Sequence, residues 1–459
     1  MNLSIVVLAA GQGKRMYSDA PKVLHALAGR PLLEHVYRAA VPLSAKRIYV
    51  VYGHGGERVR EALPQLDVTW IEQARQLGTG HAVAQALPSI DSRDGVLILY
   101  GDVPLITTET LERLTAALAE GGIGLLTVVL DDPAGYGRIV RDRCGAVLRI
   151  AEHRDATPEE REIREINTGM MTIPAAHLLR WIERLNDCNA QREYYLTDII
   201  GMAVEEGMAI KTVAGGSVYE VMGINDREQL ADCERHYQRL RAQQLMRSGV
   251  TLRDPARFDV RGDLEVGRDV TIDVNVILEG GVKLGDRVHI GPNSYLRDVE
   301  LADDVAVLPN CVLEGCRIGK GARIGPFSRI RPETRLADHV RVGNFVEIKN
   351  STVAIGSKVN HLSYVGDAEV GRNVNVGAGT ITCNYDGANK HKTVIGDGVF
   401  IGSDTLLVAP VHVGDGATIG AGTTLTRDAP PGALTLGRAR QTTVEGWARP
   451  EKKKTGERK

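Results

Sequence analysis

At 459 residues the chain is too long for one core, and at about 150 residues per domain it has room for two or three units. Hydrophobic residues make up 43% and charged residues 25%, the balance of an ordinary soluble protein. A formal charge of -2 leaves no overall basic field to hold nucleic acid or an anionic membrane. Gly is abundant at 51 and aromatics scarce at 4%, which favours a Gly-rich repeat over a large aromatic core. The 6 cysteines form no C-x-x-C pair, so scattered thiols in a reducing cytoplasm are expected rather than a disulfide framework. No apolar stretch is long enough to span a bilayer. Leu3–Ala10 lacks a basic lead-in and runs into Gly11, Gly13, Lys14 and Arg15, so it reads as a buried strand and not as a signal peptide.

Over residues 1–225, the apolar runs Ile5–Leu8, Ile48–Val51, Val96–Leu99 and Leu125–Val129 alternate with helical stretches such as Leu32–Val41 and Leu111–Ala119. That alternation predicts a doubly wound, Rossmann-like α/β sheet. Its first strand enters Leu8-Ala9-Ala10-Gly11-Gln12-Gly13-Lys14-Arg15-Met16, with Pro21-Lys22 just after. A Gly-rich turn at the end of a first strand lets backbone N–H groups approach phosphate, and Arg15 and Lys22 add the charge a triphosphate requires. The third Gly of a dinucleotide fingerprint is missing, because position 16 is Met, which argues against a dinucleotide cofactor. Residues 226–248 lack Pro, place Leu230, Cys233, Tyr237 and Leu240 near one face, and predict a linking helix over Asp226–Met246 stopped by Gly249.

Residues 249–459 repeat at a period of six. One run is Val260, Val266, Ile272, Leu278, Leu284, Ile290 and Leu296. A second is Ile318, Ile324, Ile330, Leu336, Val342 and Ile348, and a third is Ile395, Ile401, Leu407, Val413, Ile419 and Leu425. Many are followed by Gly, among them Gly267, Gly285, Gly319 and Gly402, and a second apolar position recurs four residues on at Val270, Val276, Val282 and Val288. This period fits neither a helix nor simple strand alternation. It fits short strands and turns wound round a prism, with the aliphatic residues stacked inward and Gly permitting the corners. The spacing slips near Leu301–Val312, which predicts an irregular coil. It is abandoned in AGTITCNYDGANKHKTV, Ala378–Val394, which predicts a projecting loop. The tail EKKKTGERK reads as a charged, solvated end.

The string LAAGxGxRM…PK resembles the opening of the sugar-1-phosphate nucleotidyltransferases. Gln73 with Gly78-Thr79-Gly80 is similar to that family's uracil-reading segment, and Tyr100-Gly101-Asp102 closes an apolar strand. Gly137, Glu152 and Asn167 resemble its sugar-contacting positions, and Asn225 lies at the end of the domain. Alone, Asp102 would read as a loop carboxylate capping a helix; the ordered set around it points elsewhere. The resemblance implies that Leu8, Ala9, Ala10, Gly11, Lys22, Gln73, Gly78, Thr79, Tyr100, Gly101, Asp102, Gly137, Glu152, Asn167 and Asn225 bind the sugar nucleotide. It also implies that Asp102 and Asn225 ligate Mg²⁺.

The hexad resembles the hexapeptide-repeat transferases, which implies a left-handed parallel β-helix that trimerises with active sites between subunits. HLSYVGDAEVG, GAGTITCNYDG, NFVEIKN and QTTVEGW resemble one family closely and over essentially the whole chain: the bacterial bifunctional N-acetylglucosamine-1-phosphate uridyltransferase/glucosamine-1-phosphate acetyltransferases. The resemblance implies His361 as general base, with Glu347 as orienting carboxylate, and Arg331, Lys349, Tyr364 and Asn375 as the glucosamine-phosphate pocket. Ala378, Asn384, Tyr385, Ser403, Ala421 and Arg438 match the acetyl-CoA contacts. An imidazole of ordinary pKa, about 6.5, is suited to take a proton from an ammonium group at neutral pH.

The expectation is therefore a cytoplasmic homotrimer without nucleic-acid or membrane partners. It acetylates glucosamine 1-phosphate with acetyl-CoA, then couples N-acetylglucosamine 1-phosphate to UTP, giving UDP-N-acetylglucosamine for peptidoglycan and lipopolysaccharide precursors. Two alternatives stand beside it. A nucleotidyltransferase with a purely structural or regulatory β-helix has no use for His361, Lys349 and the NYDG loop. A non-catalytic regulatory subunit has no need of Lys22, Asp102 and Asn225.

Overall fold

The structure is a computed structural model that describes residues 2–11, 13–53, 55–450 and 452. Gln12 of the Gly-rich turn and all of the charged tail except Lys452 lie outside the described residues. The chain divides into two compact units, Met1–Gln244 with Asp259–Gly262, and Leu245–Phe258 with Asp263–Lys459. Among the described residues no helix is long and apolar enough to cross a membrane, and all six cysteines are free thiols.

The first unit is built on strands β1 (Leu3–Ala9), β2 (Arg47–Tyr52), β3 (Thr69–Glu72), β4 (Gly95–Tyr100), β5 (Ile123–Val129), β6 (Arg138–Arg141), β7 (Val147–Ala151), β8 (Glu165–Pro174) and β9 (Ile210–Ala214). Its helices include α1 (Leu32–Ala40), α2 (Thr79–Ala86) and α3 (Thr108–Ala119). The sheet runs β9-β5-β8-β4-β1-β2-β3, with β6 and β7 attached beside β8. β1, β2, β3 and β4 pair in parallel, as the alternating pattern predicts. β8 is antiparallel to both β4 and β5, so the sheet is mixed. Its register shifts between Asn167 and Met171, a bulge of the kind that re-aims side chains beside a site.

The central strands are apolar throughout because both faces are covered. Ile5, Val7, Ile48, Val50, Leu97 and Leu99 point to one core with Leu33, Val36 and Leu111. Val6, Leu8, Val51 and Ile98 point to the other with Val83, Trp181 and Ile199. Helix α4 spans Arg227–Arg247. Cys233 is fully buried, with Leu230 and Tyr237 packed against the same small cluster of Leu27, Leu32 and Ile224. Leu240 departs from the expected face and is 40% exposed; Gln238, 2% exposed, takes the inner position by exchanging hydrogen bonds with the Val260 backbone.

The second unit is a parallel β-helix of hexapeptide repeats. One face is an eleven-strand ladder, and the other two faces form a continuous path of seventeen strands, each pairing in parallel with the strand one coil on. Val266 is only half-buried, but the rest of the three hexad runs point inward with 4% exposure or less. Burying each such aliphatic side chain contributes about 1.5–3 kcal/mol.

Three expectations are corrected here. The prism is not irregular near Leu301–Val312: Leu301, Val307 and Leu313 stack in register with Leu284, Ile290 and Leu296. The step from Leu296 to Leu301 is one residue shorter at one corner, and Asp298 turns that corner at φ 53°. The projecting segment starts later than Ala378, because Ile381–Cys383 still pairs with Leu406–Val408. The excursion is residues 384–392, closed by a Tyr385–Lys390 bridge, and Thr393 re-enters the ladder. Finally, Gly267, Gly285, Gly319 and Gly402 are not left-handed corner residues; other glycines, such as Gly321 and Gly356, take that conformation, as do Asn275, Asn293, Asp304 and Asn310 at φ 57° to 61°. The glycines answer to the next coil: a Cβ on Gly285 would lie 2.7 Å from the Ala302 carbonyl carbon. The equivalent position is Ala, the next smallest residue, at 302, 337 and 354.

Candidate active sites

At the carboxyl ends of β1 and β4, a cavity of about 360 Å³ is lined by Leu8, Ala9, Ala10, Gly11, Lys22, Gln73, Gly78, Thr79, Tyr100 and Asp102, together with Gln76 and Glu193. The Gly-rich turn folds over Lys22: at Gly13, φ is +60° and a Cβ would sit 2.8 Å from the Lys22 Cβ. Lys22 Nζ is paired with the Asp102 carboxylate and also donates to Asn225 Oδ1 at 3.1 Å. The Lys22 and Asp102 side chains are only 11% and 16% exposed. An adjoining cavity of about 260 Å³ shares Tyr100 and Asp102 and adds Arg15, Tyr136, Thr168, Asn225 and Gln229.

Asp102 and Asn225 thus direct two hard oxygen atoms at one positive charge. That donor set fits a small divalent cation that takes its remaining ligands from phosphate and water. Gln229 Oε1 accepts from the Asn225 N–H at 2.8 Å, which fixes the backbone of that residue.

Gly137, Glu152 and Asn167 also come together. The Asn167 N–H donates to the Gly137 carbonyl at 2.8 Å, and a Cβ at Gly137 would lie 3.4 Å from both Glu152 carboxylate oxygens. Thr197 Oγ1 donates to Glu152 Oε1 at 2.8 Å. Burial raises the Glu152 carboxyl, and the Thr197 hydrogen bond partly offsets that. Tyr100 joins this cluster to Asp102. Burial, then the Glu152 and Asp102 charges, push its phenol far above the ordinary value, so it stays a neutral donor.

In the β-helix, His361 ends a strand beside Asn344, its register partner one coil earlier, and is exposed. Its Nδ1 lies 3.3 Å from Asn344 Oδ1, and the Ser363 hydroxyl donates to its carbonyl at 2.7 Å. An amide oxygen only accepts, so Nδ1 carries the proton and Nε2 keeps its lone pair; this tautomer is assigned from the partners. Glu347 does not orient His361: its carboxylate accepts from Arg331 Nη1 at 2.9 Å.

Glu347 and Tyr364 are register partners, and Lys349 lies opposite Gly366 on the same pair of strands. Lys349 Nζ is 3.9 Å from Asp367 Oδ2, whose other oxygen accepts from Asn350 at 2.6 Å. Asn384 Nδ2 is also paired with Asp367 and lies 3.5 Å from the Tyr364 hydroxyl. Burial alone would raise the Asp367 carboxyl, but Asn350, Asn384 and the Lys349 and Lys390 charges hold it below the ordinary aspartate range. Tyr385 is 61% exposed on the excursion. Asn375 sits half-buried on the ladder opposite Lys358 and Phe400.

The pairings Val359↔Val376, Val376↔Ile401 and Ile401↔Ile419 put His361, Ala378, Ser403 and Ala421 at one equivalent position on successive coils. Arg438 Nη1 donates to the Ala421 carbonyl at 2.6 Å at the end of that line. Small side chains beside His361 leave a track along the corner, and at about 4.8 Å per coil its three steps cover roughly 14 Å.

Residues 5–169 match the MobA-like NTP transferase domain family. Residues 263–298, 315–350 and 392–427 match the bacterial transferase hexapeptide (six repeats) family. The whole chain is similar to the bifunctional protein GlmU of Methylococcus capsulatus, 60% identical over 453 residues and 98% of each chain. The same protein of Aromatoleum aromaticum is 58% identical over 99% of this chain and all of its own length. The chain belongs to the GlmU family.

A GlmU-family chain is bifunctional, and the two domain matches supply both halves: a nucleotidyltransferase unit and a hexapeptide transferase unit. The β-helix is therefore more than a scaffold. The reading of the sequence overlooked several residues that the fold brings to the two sites. Gln76, Tyr136, Thr168 and Glu193 line the first. Asn344 and Asp367 organise the second. Asn344 could have been found by stepping back one coil from His361. Asp367 carried no signal, since nothing in the motif distinguishes it from a solvated corner aspartate.

Proposed function

We propose that the second unit transfers acetyl from acetyl-CoA to glucosamine 1-phosphate, and that the first couples the resulting N-acetylglucosamine 1-phosphate to UTP. The products are UDP-N-acetylglucosamine and pyrophosphate. The observation that carries the two-step reading is the pair of separate polar sites in one chain, one centred on Lys22 with Asp102 and Asn225, the other on His361.

In the first site the phosphate oxygen of the sugar attacks the α-phosphorus of UTP, and both reactants are anions. The protein's part is charge neutralisation and in-line positioning. Lys22 and Arg15 meet the phosphates, the turn Leu8–Gly11 offers backbone N–H groups, and Glu152, Asn167 and Gly137 orient the sugar. Asp102 and Asn225 would hold Mg²⁺, which supplies further neutralisation of the phosphate charge.

In the second site Arg331 and Lys349 hold the sugar phosphate, with Tyr364 and Asn375 completing the pocket. His361 Nε2 takes a proton from the sugar ammonium, and the freed amine attacks the thioester carbonyl. The tetrahedral oxyanion collapses as the carbon–sulfur bond breaks, and the second proton on the attacking nitrogen passes to the departing coenzyme A thiolate. The track Ala378–Ser403–Ala421, with Asn384 and Tyr385 beside it, takes the extended arm of the coenzyme, and Arg438 meets its phosphates. A backbone N–H near Ser403 is suited to the oxyanion.

We also propose a homotrimer in the cytoplasm. Phe327 and Phe345 stack at 5.3 Å between ring centroids, and with Leu362 they form an exposed ridge beside His361. A neighbouring copy would cover it; Phe345→Glu should then give a smaller species by sedimentation. Product analysis with glucosamine 1-phosphate, acetyl-CoA, UTP and Mg²⁺, each omitted in turn, tests the whole reading. Formation of the sugar nucleotide from the non-acetylated sugar without acetyl-CoA would refute the proposed order.

A further inference from the structure

Gln73 is 2% exposed, yet it lines the nucleotide cavity, so what it presents there is decided by how its amide is held from behind. Its Nε2 lies 3.2 Å from the Gly78 carbonyl and 2.9 Å from His81 Nδ1. A carbonyl only accepts, so the amide group facing Gly78 is the NH₂, and its second N–H goes to the His81 Nδ1 lone pair. Gln85 Nε2 also lies 3.3 Å from the ring Nε2, but that amide donates to the His81 carbonyl at 3.1 Å, so the shorter 2.9 Å contact takes the lone pair and the proton is on Nε2; the Arg75 carbonyl provides the imidazole with an acceptor. Burial, partly offset by that hydrogen bond, lowers the His81 pKa and keeps the ring neutral. His81 is fixed in turn: it lies in α2, near the Tyr194 ring at 6.5 Å between centroids, and its carbonyl accepts from Gln85 Nε2 at 3.1 Å. Both N–H bonds of Gln73 are thus used inside the protein, and among the described residues no donor reaches its Oε1.

We infer that His81 is a positioning residue that sets base specificity: by accepting from Gln73 at Nδ1 it turns the amide oxygen into the cavity, so the site takes a base with a ring N–H donor and rejects cytosine. The inference rests on the nucleotidyltransferase reading above. Uracil presents N3–H, which an amide oxygen accepts. Cytosine presents a bare N3, so two acceptors would face each other, and only a flipped amide would suit it. His81 itself does not line the cavity, so its effect on the base passes through Gln73.

The test compares UTP with CTP as donors in the full chain, reading kcat/KM for each in the wild type, His81→Leu, His81→Asn and Gln73→Ala. A site built to hydrogen-bond its ligand discriminates strongly against the analogue that leaves its groups unpaired. Leu has the bulk of His and no acceptor; His81→Leu should narrow the UTP:CTP ratio by about tenfold, through a higher KM for UTP. Asn restores an acceptor at the same distance along the side chain, so His81→Asn should hold the ratio within about threefold. If His81→Leu turns over neither nucleotide, the same ratio is read from UTP and CTP binding by calorimetry. Equal losses for both nucleotides, with the ratio unmoved, would overturn the inference and leave His81 a structural residue. If Gln73→Ala narrows the ratio and His81→Leu does not, the His81 inference alone fails. If Gln73→Ala also leaves the ratio unmoved, the assignment of Gln73 to the base fails with it.

Discussion

In the α/β unit, Lys22 meets Asp102 across 80 residues of sequence and Asn225 across 203. In the β-helix, Asn344 and His361 are neighbours one coil apart, and Ala378, Ser403 and Ala421 continue the same line. The first site gathers remote segments where strand ends converge, and its central ion pair is mostly buried. The second is written along a solenoid edge and lies open. Burial sharpens electrostatics in the first, where an ion pair only about a tenth exposed works at low local dielectric. In the second, Asn344 hydrogen-bonds the exposed His361, and Lys349 faces Asp367 in a looser ion pair at 3.9 Å.

Four measurements bear on that contrast. His361→Ala should lower acetyl transfer by about 10²–10⁴-fold while leaving pyrophosphate release from UTP within twofold of wild type. Loss of both activities would mean that the sites are not independent. Asp102→Ala should do the reverse, lowering uridylyl transfer by about 10²–10³-fold, with thiol release from acetyl-CoA unchanged.

Gly169 sits at φ +84° where a Cβ would lie 2.5–2.8 Å from the Tyr100 ring. Gly169→Ala should therefore destabilise the first unit by about 1–3 kcal/mol, seen as an earlier thermal transition with the second activity intact. An unshifted transition would show that Tyr100 can move aside, and that the first site is looser than its burial suggests.

The smallest effect concerns Asp367. Asp367→Asn removes the charge facing Lys349 and should raise KM for glucosamine 1-phosphate by about tenfold. The pH dependence follows from its depressed carboxyl. Its contribution to stability is complete above the ordinary aspartate value and is lost as pH falls through the lower folded value. Acid melts of the wild type should show a component that Asp367→Asn lacks. An identical acid profile in both would place the acid sensitivity elsewhere.

Much of this molecule was legible in the sequence, and unevenly so. Ile318, Ile324 and Ile330 announced the prism because one coil repeats the packing of the last, and burial at each step is the same physical event. The apolar strands Ile5–Leu8 and Val96–Leu99 were equally plain. The antiparallel strand Glu165–Pro174 was not, since its apolar residues pack on partners that a linear pattern cannot reveal. The slip at Leu301 arises because strict sixfold counting misses a corner that tolerates one residue fewer, whereas the hexad fails to show before the loop because its inward position is the polar Thr382, buried opposite Leu407. Glu347 is the carboxylate expected to orient His361, and side-chain geometry pairs it with Arg331 instead.

The sequence by itself determined the two-part organisation, the repeat and the identities of the reactive groups, because each is a local or periodic property of the chain. Only the tertiary structure decided which groups meet. Lys22 between Asp102 and Asn225, His81 behind Gln73, and Asp367 between Lys349 and Asn384 all depend on where distant or turning backbone is brought to rest. Hydrogen bonds and ion pairs act over a few ångströms, and separation along a sequence does not specify a distance of that kind.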